Sequence, residues 1–149
     1  MMQLDNLYQE VILDHYKNPQ NKKLESDNDA QVHHINPSCG DEVTLGVKLE
    51  GEKILSVNWD GVGCSISQSS TSIMSDLLIG KSLEEAAVIS ESFLQLMQSK
   101  GSQDGDETVL EDAVALAGVS KYPARIKCAL LGWMAFKDAS VQALSKKTN

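Results

Sequence analysis

The chain is short of basic residues: 13 Lys and Arg stand against 21 Asp and Glu, a formal net charge of −8. Nucleic-acid binding replaces phosphate counterions with Lys and Arg, so this balance argues against a nucleic-acid partner. It argues equally against docking on anionic lipid. A protein partner with a basic docking surface is compatible with the charge but not demanded by it. No stretch approaches the ~20 consecutive apolar residues of a membrane span. The opening Met1-Met2-Gln3-Leu4-Asp5 lacks a basic segment followed by an apolar one, so no secretory signal is read and the expected location is cytoplasmic. Cysteines number only three, an odd count that argues against a disulfide framework in such a compartment. With 149 residues, 42% hydrophobic and 23% charged, the composition is globular and fits one domain over residues 1–149.

Hydrophobic periodicity orders the chain. Leu4, Leu7, Tyr8, Val11 and Ile12 form one helical stripe, stopped by Asn18-Pro19 because the residue before proline avoids the helical region. Residues Gln20 to Ala30 carry no period and read as a loop. Val43, Leu45, Val47 and Leu49 alternate with polar neighbours, and Leu55, Val57 and Trp59 alternate again after a turn at 50–53. Val32 to Ile35 is a further strand candidate before Pro37. From Ser65 the period becomes helical: Ile66, Ile73, Leu77 and Leu78 share a face, with Gly80 suited to the position after the helix. Ser82 and Glu85 spell a capping box for a helix to about Ser99. Residues 100–107 read as an exposed loop, Val109 to Ala117 as a short helix ended by Gly118, and Pro123 as the first turn of a long last helix. Ile126, Leu130, Trp133 and Met134 are its expected apolar side. Helix, strands, then helices predict an α+β domain, an antiparallel meander of three strands with helices packed on one face.

The chemistry-bearing residues fall on this map at junctions. Cys39 lies in the tight loop Pro37-Ser38-Cys39-Gly40-Asp41, Cys64 ends Gly61-Val62-Gly63-Cys64 at a strand-to-helix junction, and Cys128 sits early in the last helix. A free cysteine taken alone reads first as a small buried hydrophobe. Flanking glycines weaken that reading for Cys39 and Cys64, because loops on a scaffold are where sites sit. A helix N-terminus favours a thiolate at Cys64, and Arg125 and Lys127 offer positive charge around Cys128. The spacing resembles no paired C-x-x-C knuckle, so from the residues alone both readings, core thiols or a shared site, stay open.

Three segments add to this: Cys39-Gly40-Asp41, Gly61-Val62-Gly63-Cys64-Ser65-Ile66-Ser67, and Arg125-Ile126-Lys127-Cys128-Ala129-Leu130-Leu131. In that order they resemble the cysteine segments of the IscU/NifU-like iron–sulfur cluster assembly family, as does the opening Leu7-Tyr8-Gln9-Glu10 through Asp14-His15-Tyr16-Lys17-Asn18-Pro19. Lys127, where the family's housekeeping scaffolds carry histidine, and a longer stretch between Cys64 and Cys128 resemble the SufU-type branch of Gram-positive bacteria. The resemblance implies zinc held by Cys39, Asp41, Cys64 and Cys128. It implies that Cys39 accepts persulfide sulfur from a cysteine desulfurase, with Arg125 steadying the thiolate or persulfide. Sulfur would then pass to downstream cluster-assembly or apo-acceptor proteins. On this view Cys39 is released when the desulfurase docks, its place taken by a ligand from the partner. The alternative is a scaffold on which iron or a [2Fe–2S] cluster sits at the same residues, since thiolates and a carboxylate hold either metal. A third reading is a structural zinc module without sulfur chemistry.

Other candidates have plainer readings. Adjacent His33 and His34 point to opposite strand faces. His15 reads as a capping or surface residue, and Met74, Met97 and Met134 as core. Ser65, Ser67, Ser69 and Ser70 lack a nearby histidine base or a nucleophile-elbow pattern, and no phosphate-binding glycine loop occurs.

Overall fold

The computed structural model describes residues 2–148, with side chains described from 8 to 147. Helix α1 (Met2–Lys17) ends where Asn18-Pro19 dictates. Tyr8, Val11 and Ile12 of its apolar stripe pack half-buried on the core. Leu4 and Leu7 lie outside the described side chains.

Strands β1 (Ala30–Asn36), β2 (Asp41–Glu50) and β3 (Lys53–Val62) form an antiparallel sheet in the order β1-β2-β3. Val43, Leu45, Val47 and Leu49 point inward, with Trp59 opposite Leu45 and Val57 opposite Val47. The expected alternation fails at Leu55, which is 41% exposed while Ile54 is buried. The register explains it: Lys48 pairs Ser56 but Leu49 pairs Ile54, so Leu55 is the extra residue of a bulge and the strand changes phase there. The outer face of the sheet is partly overlaid by the loop before β1. Trp59 donates its backbone N–H to Asn21 O at 3.1 Å. Glu25 N–H and Asn28 Nδ2 both donate to Asn58 Oδ1 at 2.9 Å.

The helices cover the inner face. Helix α2 (Ser65–Leu78) is built of weak helix formers, yet Ser67 to Ser75 are all buried. Their hydroxyls are spent inside: Thr71 Oγ1 donates to Ser67 O at 2.8 Å, and Ser70 Oγ reaches Ala129 O at 2.6 Å. Small side chains are what this position needs, because helix α5 (Pro123–Thr148) crosses very close. A Cβ on Gly132 would stand only 2.3 Å from Thr71 Oγ1. Ala129, Gly132, Ala135, Ala139 and Ala143 give α5 a stripe of small residues, and it lies across β1 and β2 as well as α2. Trp133 stacks on Phe93 at 4.3 Å and donates to Ser70 Oγ at 3.0 Å.

Helix α3 (Leu83–Gln98) opens with the capping box of Ser82 and Glu85, and Gly80 takes φ +90 just past α2. The next segment departs from expectation. Instead of one helix over 109–117, a single turn α4 (Glu107–Leu110) leads into a 3₁₀ run (Glu111–Lys121) that passes through Gly118. Gly118 is not in the left-handed conformation that stops helices, and the run ends where Tyr122, extended before Pro123, must leave it. Two side-chain expectations are also corrected. His15 is 8% exposed rather than a surface residue, and its Nδ1 lies 2.8 Å from Ser72 Oγ, tying α1 to α2. Met134 is 46% exposed on the flank of α5, because the small-residue stripe and not the bulky one faces the sheet. Met74 and Met97 are buried as expected.

Candidate metal centre

The strand pattern itself delivers the first two donors. Cys39 sits at the tip of the β1–β2 hairpin, where Cys39 N–H donates to Asn36 O and Gly40 turns the chain at φ +68. Asp41 follows as the first residue of β2, in phase with Val43 and Leu45, so its carboxylate lies on the inner face with no exposure at all. A carboxylate so buried needs partners. One is the backbone N–H of Cys64, which donates to Asp41 Oδ1 at 2.8 Å.

Cys64 occupies the N-cap of α2 without capping it through its side chain, so the thiol stays beside the positive end of the helix. Its Sγ lies 4.0 Å from Asp41 Oδ2 and 3.9 Å from Ser67 Oγ. Gly63 makes this approach feasible: a Cβ there would fall 2.3 Å from Asp41 Oδ1. Cys128, buried in the second turn of α5, brings its Sγ to 3.1 Å from Cys39 Sγ. The donor atoms of Cys39, Asp41 and Cys128 all lie within 4.8 Å of one another, and Cys64 borders this trio through Asp41.

Burial, first of all, pushes the Cys128 thiol well above its ordinary range, followed by hydrogen bonds with Cys39, Asp41 and Cys64. Arg125 is held further toward its charged form, first by the charge of Cys64 and then by hydrogen bonding to Cys128. The guanidinium thus faces the thiols from the first turn of α5, while Lys127 is exposed. The donor set fits a thiophilic tetrahedral cation: thiols and one carboxylate are ligands zinc takes readily, and a cation would convert a buried thiol into a thiolate that burial alone disfavours.

Sequence reasoning missed Asn36, which is buried and points Nδ2 toward Cys128 Sγ at 3.9 Å. The signal was available, since Val32, His34 and Asn36 share the inner phase of β1. The histidines lie elsewhere: His34 Nε2 pairs with Asp138 Oδ2 at 2.8 Å, and His33 Nδ1 meets Thr44 Oγ1 at 2.9 Å on the outer face.

An α+β sheet-and-helix fold with cysteines on a hairpin tip, a helix cap and a second helix defines a known class, and the chain belongs to the family of the NifU-like N terminal domain, which matches residues 7–129. Within that family it is 46% identical over 134 residues to the zinc-dependent sulfurtransferase SufU of Bacillus subtilis, covering 90% of this chain and 89% of that protein. It is 40% identical over 139 residues to the iron-sulfur cluster assembly scaffold protein IscU of Streptococcus pyogenes, covering 93% and 86%. The crystal structure of a nitrogen-fixing NifU-like protein (N-terminal) from Brucella abortus shares the fold at a TM-score of 0.84 and 22% identity, covering 96% of this chain and 97% of that one. Both sulfur transfer and cluster scaffolding therefore occur among its relatives. Among the described residues no helix is long and apolar enough to cross a membrane.

Proposed function

We propose that this chain is a zinc-dependent sulfur acceptor and donor in iron–sulfur cluster assembly, taking persulfide sulfur from a cysteine desulfurase and passing it to cluster-assembly or apo-acceptor proteins. The observation that carries the reading is the convergence of Cys39, Asp41 and Cys128, with Cys64 at their edge, in a chain this similar to a zinc-dependent sulfurtransferase. Cys39, Asp41, Cys64 and Cys128 would hold the metal. Zinc in such a site keeps thiols as thiolates without redox chemistry of its own.

The residues then divide the work. Cys39 and Cys64 are both only partly buried, and Cys39, on a hairpin tip, is the acceptor in this reading. Its sulfur attacks the outer sulfur of the donor's cysteine persulfide. The electron pair on Cys39 Sγ forms the new S–S bond and the donor's S–S bond breaks. The donor's cysteine leaves with the electron pair of the broken bond and takes up a proton, so no external oxidant or reductant is consumed. Arg125, already drawn to the thiols, offsets the negative charge carried by the attacking and leaving sulfurs. Asp41 stays fixed by the Cys64 N–H and keeps the pocket's shape as Cys39 moves.

The test is direct. The zinc-loaded chain is incubated with desulfurase and cysteine, its thiols are blocked, and the peptides are weighed. The reading expects one added sulfur on the Cys39 peptide. Sulfur accumulating on Cys64 or Cys128 instead, or uptake persisting in Cys39→Ala, overturns it.

A further inference from the structure

Beside the thiols lies a cleft of about 480 Å³ between α1 and the 3₁₀ run, a volume in the ~300–1,000 Å³ range of ligand clefts. Ile12, Ile66 and Val119 line it, together with Cys64 and Arg125. We propose that this cleft seats the segment of the sulfur-donating protein that carries its persulfide. The proposal rests on the sulfur-transfer reading and adds to it the route by which the donor arrives and the residues that select it.

Three observations point the same way. The cleft and the thiol site share Cys64 and Arg125, so a peptide lying in the cleft delivers its sulfur at the thiols without crossing open surface. The charge is local and inverted: among the described residues no acidic side chain lines the cleft, while Lys121 and Arg125 both do. An anionic persulfide group is the partner chemistry such a mouth accepts. The third is Tyr122, a lining residue that stands 62% exposed although its backbone is fixed. Its N–H donates to Val119 O at 2.9 Å and its carbonyl accepts from Arg125 N–H at 2.8 Å. A rigidly mounted, exposed aromatic flanked by cations has the character of an interface anchor, a residue type that dominates binding energy when covered.

The experiment uses the zinc-loaded full chain with desulfurase, following alanine formation as the concentration of the chain is raised. Tyr122→Ala and Lys121→Glu, both at exposed positions, are expected to raise the half-saturating concentration roughly tenfold each while the plateau rate is retained. Val141→Glu, on the far flank of α5, serves as the control with no effect. A parallel arm supplies free cysteine persulfide, which needs no protein docking, and there the two cleft variants are expected to take up sulfur as the parent does. Unchanged half-saturation overturns the cleft proposal and leaves the function intact. So does an equal loss in the free-persulfide arm, which would place the two side chains in the chemistry and not in docking. Absence of any stimulation by the parent chain overturns the sulfur-transfer reading, and the cleft proposal with it.

Discussion

Replacing Gly63 by Ala tests whether the Asp41–Cys64 geometry governs metal binding. The new Cβ would fall 2.3 Å from Asp41 Oδ1 and 2.6 Å from Ser67 Oγ. An ordinary carbon–oxygen contact is about 3.3 Å, so the carboxylate or the backbone must retreat by about 1 Å. Asp41 cannot retreat freely, since it has no exposure and holds the Cys64 N–H at 2.8 Å. Weakening a hydrogen bond to a carboxylate costs about 1.5–3 kcal/mol, and overpacking a site costs about 1–3 kcal/mol. These overlap, so about 2 kcal/mol is expected for the metal-free chain, a fall in Tm of about 4–8 °C. Zinc affinity, measured by competition with a chromophoric chelator, is expected to fall about 10- to 100-fold, as when a ligand's supporting partner is lost. Gly80→Ala is the control. Its φ is positive, +90, as is that of Gly63 at +157, but its Cβ would meet nothing within 4 Å. It should lose about 1–2 kcal/mol through backbone strain and bind zinc normally. Zinc affinity of Gly63→Ala within about twofold of the parent, or an equal loss in Gly80→Ala, would refute the reasoning.

Other outcomes follow from the same geometry. Gly132→Ala should cost about 1–3 kcal/mol by driving α5 off Thr71, and Thr71→Ala in the same chain should recover part of it; additive denaturant-unfolding energies would contradict the close crossing. His15→Ala should lower stability by about 1–3 kcal/mol by leaving the buried Ser72 hydroxyl with only the Gln20 N–H as partner, with zinc content unchanged. Ser82→Ala should cost about 1 kcal/mol through loss of the cap. Glu85 is held below its ordinary 4.5, first by the Ser82 backbone N–H and then by the Ser82 side chain. A depressed carboxyl stabilises the fold above that value and loses its contribution as pH falls, so the Tm gap between the parent and Glu85→Gln should close in acid. A gap that widens there would contradict the sign.

Legibility varied with how local the determinant is. The capping box at Ser82 and Glu85, the Gly80 stop and the Pro123 start are set by a few neighbouring residues, and each was readable. The β3 bulge was not, because Leu55 is displaced by pairing with β2, and nothing within Leu55-Ser56-Val57 announces it. Met134 misled because hydropathy favours the largest side chain, while close helix crossing selects the smallest, as at Gly132 and Ala135. His15 was missed for a related reason: burial of a polar group depends on a distant partner, here Ser72, whereas Asn36 could have been read from the inner phase of β1 but its partner Cys128 could not. The convergence of Cys39, Asp41 and Cys128 spans 89 positions between the two thiols, a separation from which periodicity predicts nothing. It became readable only through resemblance of the flanking segments to a known family, and the cleft beside Cys64 was beyond both routes.

The central claim is sulfur transfer through Cys39, and alanine formation from cysteine by the desulfurase measures it most directly. With the chain loaded with zinc and kept free of iron, the account predicts a marked acceleration that vanishes in Cys39→Ala. No acceleration, together with assembly of a [2Fe–2S] cluster on the same chain, would contradict it and make the protein a scaffold in which zinc only substitutes for iron.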